Sequence, residues 1–199
     1  MTEISAKDVK ALRDLTGAGM MACKNALAET GGKVEEAVEL LRARNETKAQ
    51  KRAGNEAREG VVQSYIHSGS KIGVLVEVDT ETDFVARNEE VVGFTRDLAL
   101  HIAAAAPLSV SEDDVPASER EREQRIATEQ AADKPENVRE RIVTGKVDKW
   151  LDEVVLLRQT HVNEDKYEGK TIEEIRAQLA AKFGENIVVN RFARFSVGG

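Results

Sequence analysis

From Val61 onward the chain alternates. In "VVQSYIHSGSKIGVLVEVDT" (61–80), Ile72, Val74, Val76 and Val78 take every second place, with Gly73, Leu75, Glu77 and Asp79 between them. A period of two belongs to a strand with one buried face, and Ser68-Gly69-Ser70 breaks the run as a turn does, so the pattern predicts a β-hairpin. "IVVNRFARFSV" (187–197) reads as a further strand, paired with the hairpin. Between these segments the period is helical. Val91, Phe94, Leu98, Ile102 and Ala105 stripe one side of a helix that stops at Pro107, and Ile172, Ile175, Leu179 and Phe183 stripe another. "ENVRERIVTGKVDKWLDEV" (136–154) predicts a helix, and Ser118 to Ala132, inside an acidic stretch with Pro116 and Pro135, a solvated one.

The first 43 residues predict three short helices. Ser5 and Asp8 form a capping-box pattern. Val9, Leu12 and Leu15 then give an apolar stripe that Gly17 ends, and Gly17 with Gly19 makes a tight turn. Met20 to Glu29 reads as the second helix, broken by "TGG" (30–32), and Val34, Ala37, Val38 and Leu41 mark the third at i, i+3, i+4, i+7. "RARNETKAQKRAGNEAREG" (42–60) has almost no large apolar residue and reads as an exposed helix or linker. The expected organisation is a three-helix bundle over 1–43, a helical linker over 44–59, and an α+β core over 60–199. In that core, helices pack on one face of a small, mostly antiparallel sheet.

Composition narrows the possibilities. Aromatic residues make up 4% of the 199, so the core must be built from Ala, Val, Leu and Ile. A net charge of −7 argues against direct nucleic-acid binding, which needs a basic footprint. The single cysteine, Cys23, excludes an internal disulfide and fits a reducing compartment. "MTEISAKDVK" lacks the apolar stretch of a secretion signal, and no apolar run approaches the roughly 18–20 residues of a membrane span. A cytoplasmic protein without membrane attachment is expected.

No catalytic constellation is legible, so the expectation is a protein that is not an enzyme and carries no cofactor and no metal. His67, His101 and His161 are far apart, with no Cys or carboxylate at metal-ligand spacing. "TGKVDK" (144–149) lacks the earlier Gly and the Ser/Thr after Lys146 that a phosphate loop needs. Two features resist a purely structural reading. Met20 and Met21 point about 100° apart on a helix, so either both are buried or at least one faces a partner. Phe84 stands in the polar stretch "TETDFVARNEE" (80–90), either as an anchor under the next helix or as a wedge for a partner.

The same stretches carry a resemblance. "LRDLTGAGMMACKNAL" (12–27), "SYIHSGSKIGVLVEV" (64–78), "TDFVARNEE" (82–90) and "GENIVVNRFARF" (184–195) closely resemble bacterial elongation factor Ts, a family of guanine-nucleotide exchange factors for elongation factor Tu. The motifs occur in the family's order and span essentially the whole chain. The resemblance implies that the bundle is a ubiquitin-associated-like module docking on the partner's G domain, and that the α+β part is the family's core. One hairpin and one T-D-F-V-A motif match the family's short form, which implies a homodimer and a two-to-two complex. Ala193 stands in "RFARF", so that dimer is expected to be non-covalent.

The resemblance also implies the contact residues. Asp83 and Phe84, within Thr82 to Val85, would enter an apolar cleft of the G domain near its Mg²⁺ and disturb phosphate binding. Val85 and Ala86 would pack the loop base, with Asn88 as N-cap of the next helix. Arg13, Met20, Met21 and Lys24 would touch the G domain from the N-terminal module, and His67 would approach the partner's third domain. The rival expectation is a protein-binding adaptor with the same docking module and no exchange activity.

Overall fold

The computed structural model describes residues 4–16, 18–52 and 54–198, with the backbone alone for Asp14, Arg42 and residues 45–51. Three helices open the chain: α1 (Ala6–Thr16), α2 (Met20–Glu29) and α3 (Val34–Arg52). The Ser5–Asp8 box forms, with the Asp8 amide donating to Ser5 Oγ at 3.2 Å and the Ser5 amide to Asp8 Oδ2 at 3.3 Å. Val9, Leu12, Cys23, Ala26, Leu27, Ala37 and Leu41 close a small core of their own. Leu15 does not join it. The expected stripe ends at Leu12, and Leu15 stands 71% exposed. The turn residue Gly17 lies outside the described residues.

The third helix does not stop where its apolar periodicity does. It continues to Arg52, and its backbone lies against the last helix of the chain. Residues 42–52 carry a run of helix formers (Arg, Lys, Gln, Glu, Ala), so propensity sustains the helix where burial no longer does.

The hairpin forms as β1 (Glu59–Ile66) and β2 (Ile72–Thr80). Positive φ at Gly69 (86°) and Ser70 (55°) turns the chain between them. The strand β3 (Ile187–Ser196) pairs antiparallel with β2, giving the order β1-β2-β3, with a bulge between Glu77 and Val78. Cross-strand pairs put Val61, Gln63, Tyr65, Val74, Val76 and Val78 on one face. Helix α5 (Glu89–Ala105) covers that face and buries Val91, Phe94, Leu98 and Ile102 against it. Burying each such side chain contributes about 1.5–3 kcal/mol. Asn88 caps α5 by accepting from the Glu90 amide at 2.9 Å, and Ala106 ends it in the left-handed region at φ 48°. Together with the α+β core, the N-terminal three helices give the architecture the periodicities predict.

The acidic segment is helical. Helices α6 (Ala117–Gln130) and α7 (Glu136–Val154) pack on each other as an arm beside the core. Arg158 fastens its base, donating to Glu112, Asp148 and Asp152 at 2.7 Å each. After a 3₁₀ turn (Leu156–Arg158) and the single turn α8 (Glu164–Tyr167), the helix α9 (Ile172–Phe183) starts at a capping box of Thr171 and Glu174. Gly184, at φ 68°, reverses the chain into β3.

Candidate partner-binding site

The polar loop after β2 contains a one-turn helix, α4 (Asp83–Ala86), which periodicity does not reveal. Thr82 caps it by accepting from the Val85 amide at 3.4 Å. One turn divides four residues cleanly. Val85 and Ala86 face the core at 4% exposure each, and Phe84 points outward at 79%. Of the two readings left open for Phe84, the buried loop anchor is therefore excluded, since Val85 and Ala86 do that work. Asp83 pairs with Arg87 at 3.2 Å across exposed surface, an interaction worth little in water and easily exchanged for another.

Thr82 is held at each of its polar groups. Its amide donates to Glu185 Oε2 at 3.0 Å and its hydroxyl to Glu185 Oε1 at 2.6 Å. Its carbonyl accepts from the buried Thr80 hydroxyl at 2.8 Å. The preceding Glu81 accepts from the Asn186 amide at 2.6 Å and from Asn55 Nδ2 at 3.0 Å, and faces Arg52 at 3.6 Å. The Asn186 amide is the main reason the Glu81 carboxyl titrates below its ordinary range. Nothing in local sequence points to these partners, because Glu185 lies 103 residues from Thr82.

The N-terminal candidates also face solvent. Met20 and Met21 are 56% and 67% exposed, so both residues of the pair are outside the bundle core. Arg13 and Lys24 are exposed as well. Leu15 adds a third large apolar side chain at the end of the bundle formed by the α1–α2 connection. His67 is exposed at the hairpin tip, where Nδ1 and Tyr65 Oη are 3.0 Å apart. The structure thus distributes the candidate residues over three elements: the bundle end, the hairpin tip and α4.

The other two histidines come together out of distant sequence. Their rings are 5.2 Å apart and buried between α5 and the segment after the 3₁₀ turn. His101 Nδ1 accepts from the Val162 amide at 3.2 Å, which leaves Nε2 to donate to Gln159 Oε1 at 2.8 Å. His161 Nδ1 accepts from the Asn163 amide at 3.0 Å. Burial, and then the neighbouring His101, push His161 down to about 4. The two bonds of His101 fasten α5 to the loop beside it, while the bond to His161 stays within that loop and its buried Nε2 has no hydrogen-bond partner among the described residues. Among the described residues, no group of three or more His, Cys, Asp or Glu is placed to hold a metal ion. No helix of the described residues is long and apolar enough to cross a membrane.

Among the described residues, no helix lies over the second face of the sheet. Val62, Ile66, Leu75, Phe195 and Val197 all stand half or more exposed there. Cross-strand pairing sets Gly73 between Ile66 and Phe195, and Glu77 beside Arg191. Contiguous exposed apolar surface of this kind marks an interaction site. A small helical module, an α+β core and apolar side chains presented to solvent on several elements describe a class of protein that docks on other macromolecules.

A family model described as elongation factor TS matches residues 1–168. Among curated relatives, the elongation factor Ts of Desulfotalea psychrophila is 51% identical over 198 residues, covering 98% of both chains. The elongation factor Ts of Anaeromyxobacter sp. (strain K) is 50% identical over 200 residues, covering 100% of this chain and 90% of its own. That of Caldanaerobacter subterraneus subsp. tengcongensis is 48% identical, covering 98% and 97%. The chain belongs to the elongation factor Ts family, whose members are translation elongation factors of protein biosynthesis.

Proposed function

We propose that this protein is the guanine-nucleotide exchange factor for elongation factor Tu and promotes GDP release during translation elongation in the cytoplasm. The observation that carries the reading is Phe84, a large apolar ring 79% exposed on a one-turn helix whose other apolar residues are buried. An exposed Phe in a family of elongation factors is best explained by a pocket on a partner. Asp83 and Phe84 enter the G domain beside the Mg²⁺ and nucleotide, with Thr82 and Val85 forming the base of the wedge. Arg13, Met20, Met21 and Lys24 dock the N-terminal module on the same domain, and His67 meets a further domain. The Mg²⁺ is the partner's. This chain performs no covalent chemistry and needs no cofactor or metal of its own. Its net charge of −7 leaves direct nucleic-acid contact without a basic footprint.

The mechanism is reciprocal coupling. If the factor weakens GDP binding by some ratio, GDP weakens factor binding by the same ratio. Each factor of ten in that ratio is about 1.4 kcal/mol. Burial of Phe84 counts only if its pocket is open in the conformer that holds GDP poorly, since equal affinity for both states shifts nothing.

Two chains associate through the open sheet face, so the working assembly contains two copies of each protein. The apolar stripe of Val62, Ile66, Leu75, Phe195 and Val197 supports this reading, and the family's short form supports it independently. With Ala193 central on that face, the association is non-covalent.

The test is release of a fluorescent GDP analogue from elongation factor Tu, with and without this protein. A large acceleration at micromolar protein is expected. Tight binding with no acceleration would instead make the chain an adaptor, and no binding would remove both readings.

A further inference from the structure

We propose that Glu185 is a positioning residue for the loop that carries Phe84, holding Thr82 so that the ring is presented in one direction before any partner arrives. The proposal rests on the reading of Phe84 as the inserting side chain. A single helical turn does not hold itself together, because nucleation fixes several residues for very few hydrogen bonds. The backbone bonds of helix α4 are few: the Ala86 amide on Thr82 O at 3.2 Å, the Arg87 amide on Asp83 O at 3.1 Å and the Asn88 amide on Val85 O at 3.0 Å. Its direction must therefore come from outside. Val85 and Ala86 supply an apolar footing, which fixes depth better than rotation.

Rotation is set at Thr82. The Glu185 carboxylate grips it with both oxygens, one on the amide and one on the hydroxyl, while the second function of that hydroxyl is to cap α4 through the Val85 amide. One carboxylate thus fixes both the backbone and the side chain of the cap residue. Glu185 is itself located by the Gly184 turn, which ends α9 and admits an L residue only with strain at φ 68°. The next residue, Asn186, donates its amide to Glu81 and its Nδ2 to Asn55 O at 2.9 Å. Asn55 Nδ2 in turn donates to Glu81. Both residues that lead into α4 are therefore clamped, Glu81 to the chain that follows α3 and Thr82 to the α9–β3 turn.

The two bonds from Glu185 to Thr82 lie on exposed surface, although the neighbouring Asn186 and Ile187 are buried. Their loss loosens one segment and leaves the fold standing. An ordered wedge reaches its pocket without first losing loop entropy, so loosening it lowers the fraction of bound complexes in which the ring is inserted. The N-terminal contacts that bring the proteins together are unaffected.

The experiment compares wild type, Glu185→Ala and Glu185→Gln in stopped-flow release of a fluorescent GDP analogue from elongation factor Tu over rising factor concentration. In Glu185→Ala the maximal rate falls about tenfold, or about 1.4 kcal/mol, while the half-saturating concentration stays within about twofold. Melting temperature is unchanged. Glu185→Gln, which keeps one acceptor for the amide and a donor for the hydroxyl oxygen, recovers most of the rate. Amide hydrogen exchange on the free proteins is faster at Val85 and Ala86 in the Ala variant and near wild type in the Gln variant. Unchanged exchange at those amides overturns the proposal whether or not the protein accelerates GDP release. So does an unchanged maximal rate, or a fall in rate that tracks a fall in melting temperature. Failure of the wild type to release GDP, with the amide pattern as expected, removes the exchange reading and leaves the clamp.

Discussion

Phe84→Ala separates partner energy from folding energy. The ring is 79% exposed, so folding covers only about one fifth of it. Complete burial of a Phe side chain is worth about 1.5–3 kcal/mol, which makes the folded-state share about 0.3–0.6 kcal/mol. Ala is the better helix former by about 0.5 kcal/mol, which offsets most of that. The melting temperature should therefore move by less than about 2 °C in a chain of this size. Burying the remaining four fifths in a partner is worth about 1.2–2.4 kcal/mol, or roughly 8- to 50-fold in exchange rate. The two measurements are thermal melting of the free protein and fluorescent-GDP release from elongation factor Tu. If Phe84 instead anchored the loop, its truncation would cost about 3–5 kcal/mol and lower the melting temperature by about 6–20 °C. That outcome, or a normal exchange rate at normal stability, would refute the wedge.

Three further outcomes are expected. Replacing Met20 and Met21 together by Ala should weaken the complex about tenfold or more without altering the melt, and unchanged affinity would take the N-terminal module out of the interface. Leu75→Glu, on the open sheet face, should leave a folded monomer by light scattering, and a monomeric wild type would end the dimer reading. His161 titrates at about 4, against 6.5 for an unperturbed histidine. Its folded pKa is the lower one, so the stability it supports is complete above about pH 6.5 and is lost as pH falls toward 4. His161→Gln keeps an acceptor for the Asn163 amide but does not titrate. Its melting temperature should vary less between about pH 6.5 and 4 than that of wild type, and an equal slope would assign the acid sensitivity to other groups.

The strands and long helices were legible because burial imposes a period, and Val74, Val76 and Val78 or Phe94, Leu98 and Ile102 record it directly. The pattern failed at its margins. Leu15 continues the stripe of α1 by spacing, yet it falls at the last turn of that helix, where the small bundle has no surface left to cover it. Helix α3 runs past its last apolar residue because propensity needs no core. Helix α4 is too short to show any period. Its cap residue Thr82 is ordinary in sequence, and its partner Glu185 is visible only once α9 and β3 are in place. The pairing of the two buried histidines was equally hidden, since Gln159 and the Val162 amide reach His101 from about 60 residues away. The proposed contact residues Phe84, Met20 and Met21 stood out for the opposite reason: large apolar side chains in polar or exposed settings need an explanation that the fold does not provide.

The place of β3 in the sheet also sets an order of events. It pairs with β2, whose last residue, Thr80, lies opposite the first residue of β3, Ile187. At about 5–20 residues per second, synthesis of the chain between them takes about 5–20 s. During that interval β2 keeps one edge unpaired, and Thr82 lacks the Glu185 carboxylate that holds it. A nascent chain can already fold its helical module and present Met20 and Met21, but it acquires a fixed Phe84 only after the α9–β3 turn has emerged and closed. If the chain is the proposed exchange factor, partner attachment and nucleotide release are thereby separated in the life of each molecule, and a chain interrupted before Glu185 would dock but release nucleotide slowly.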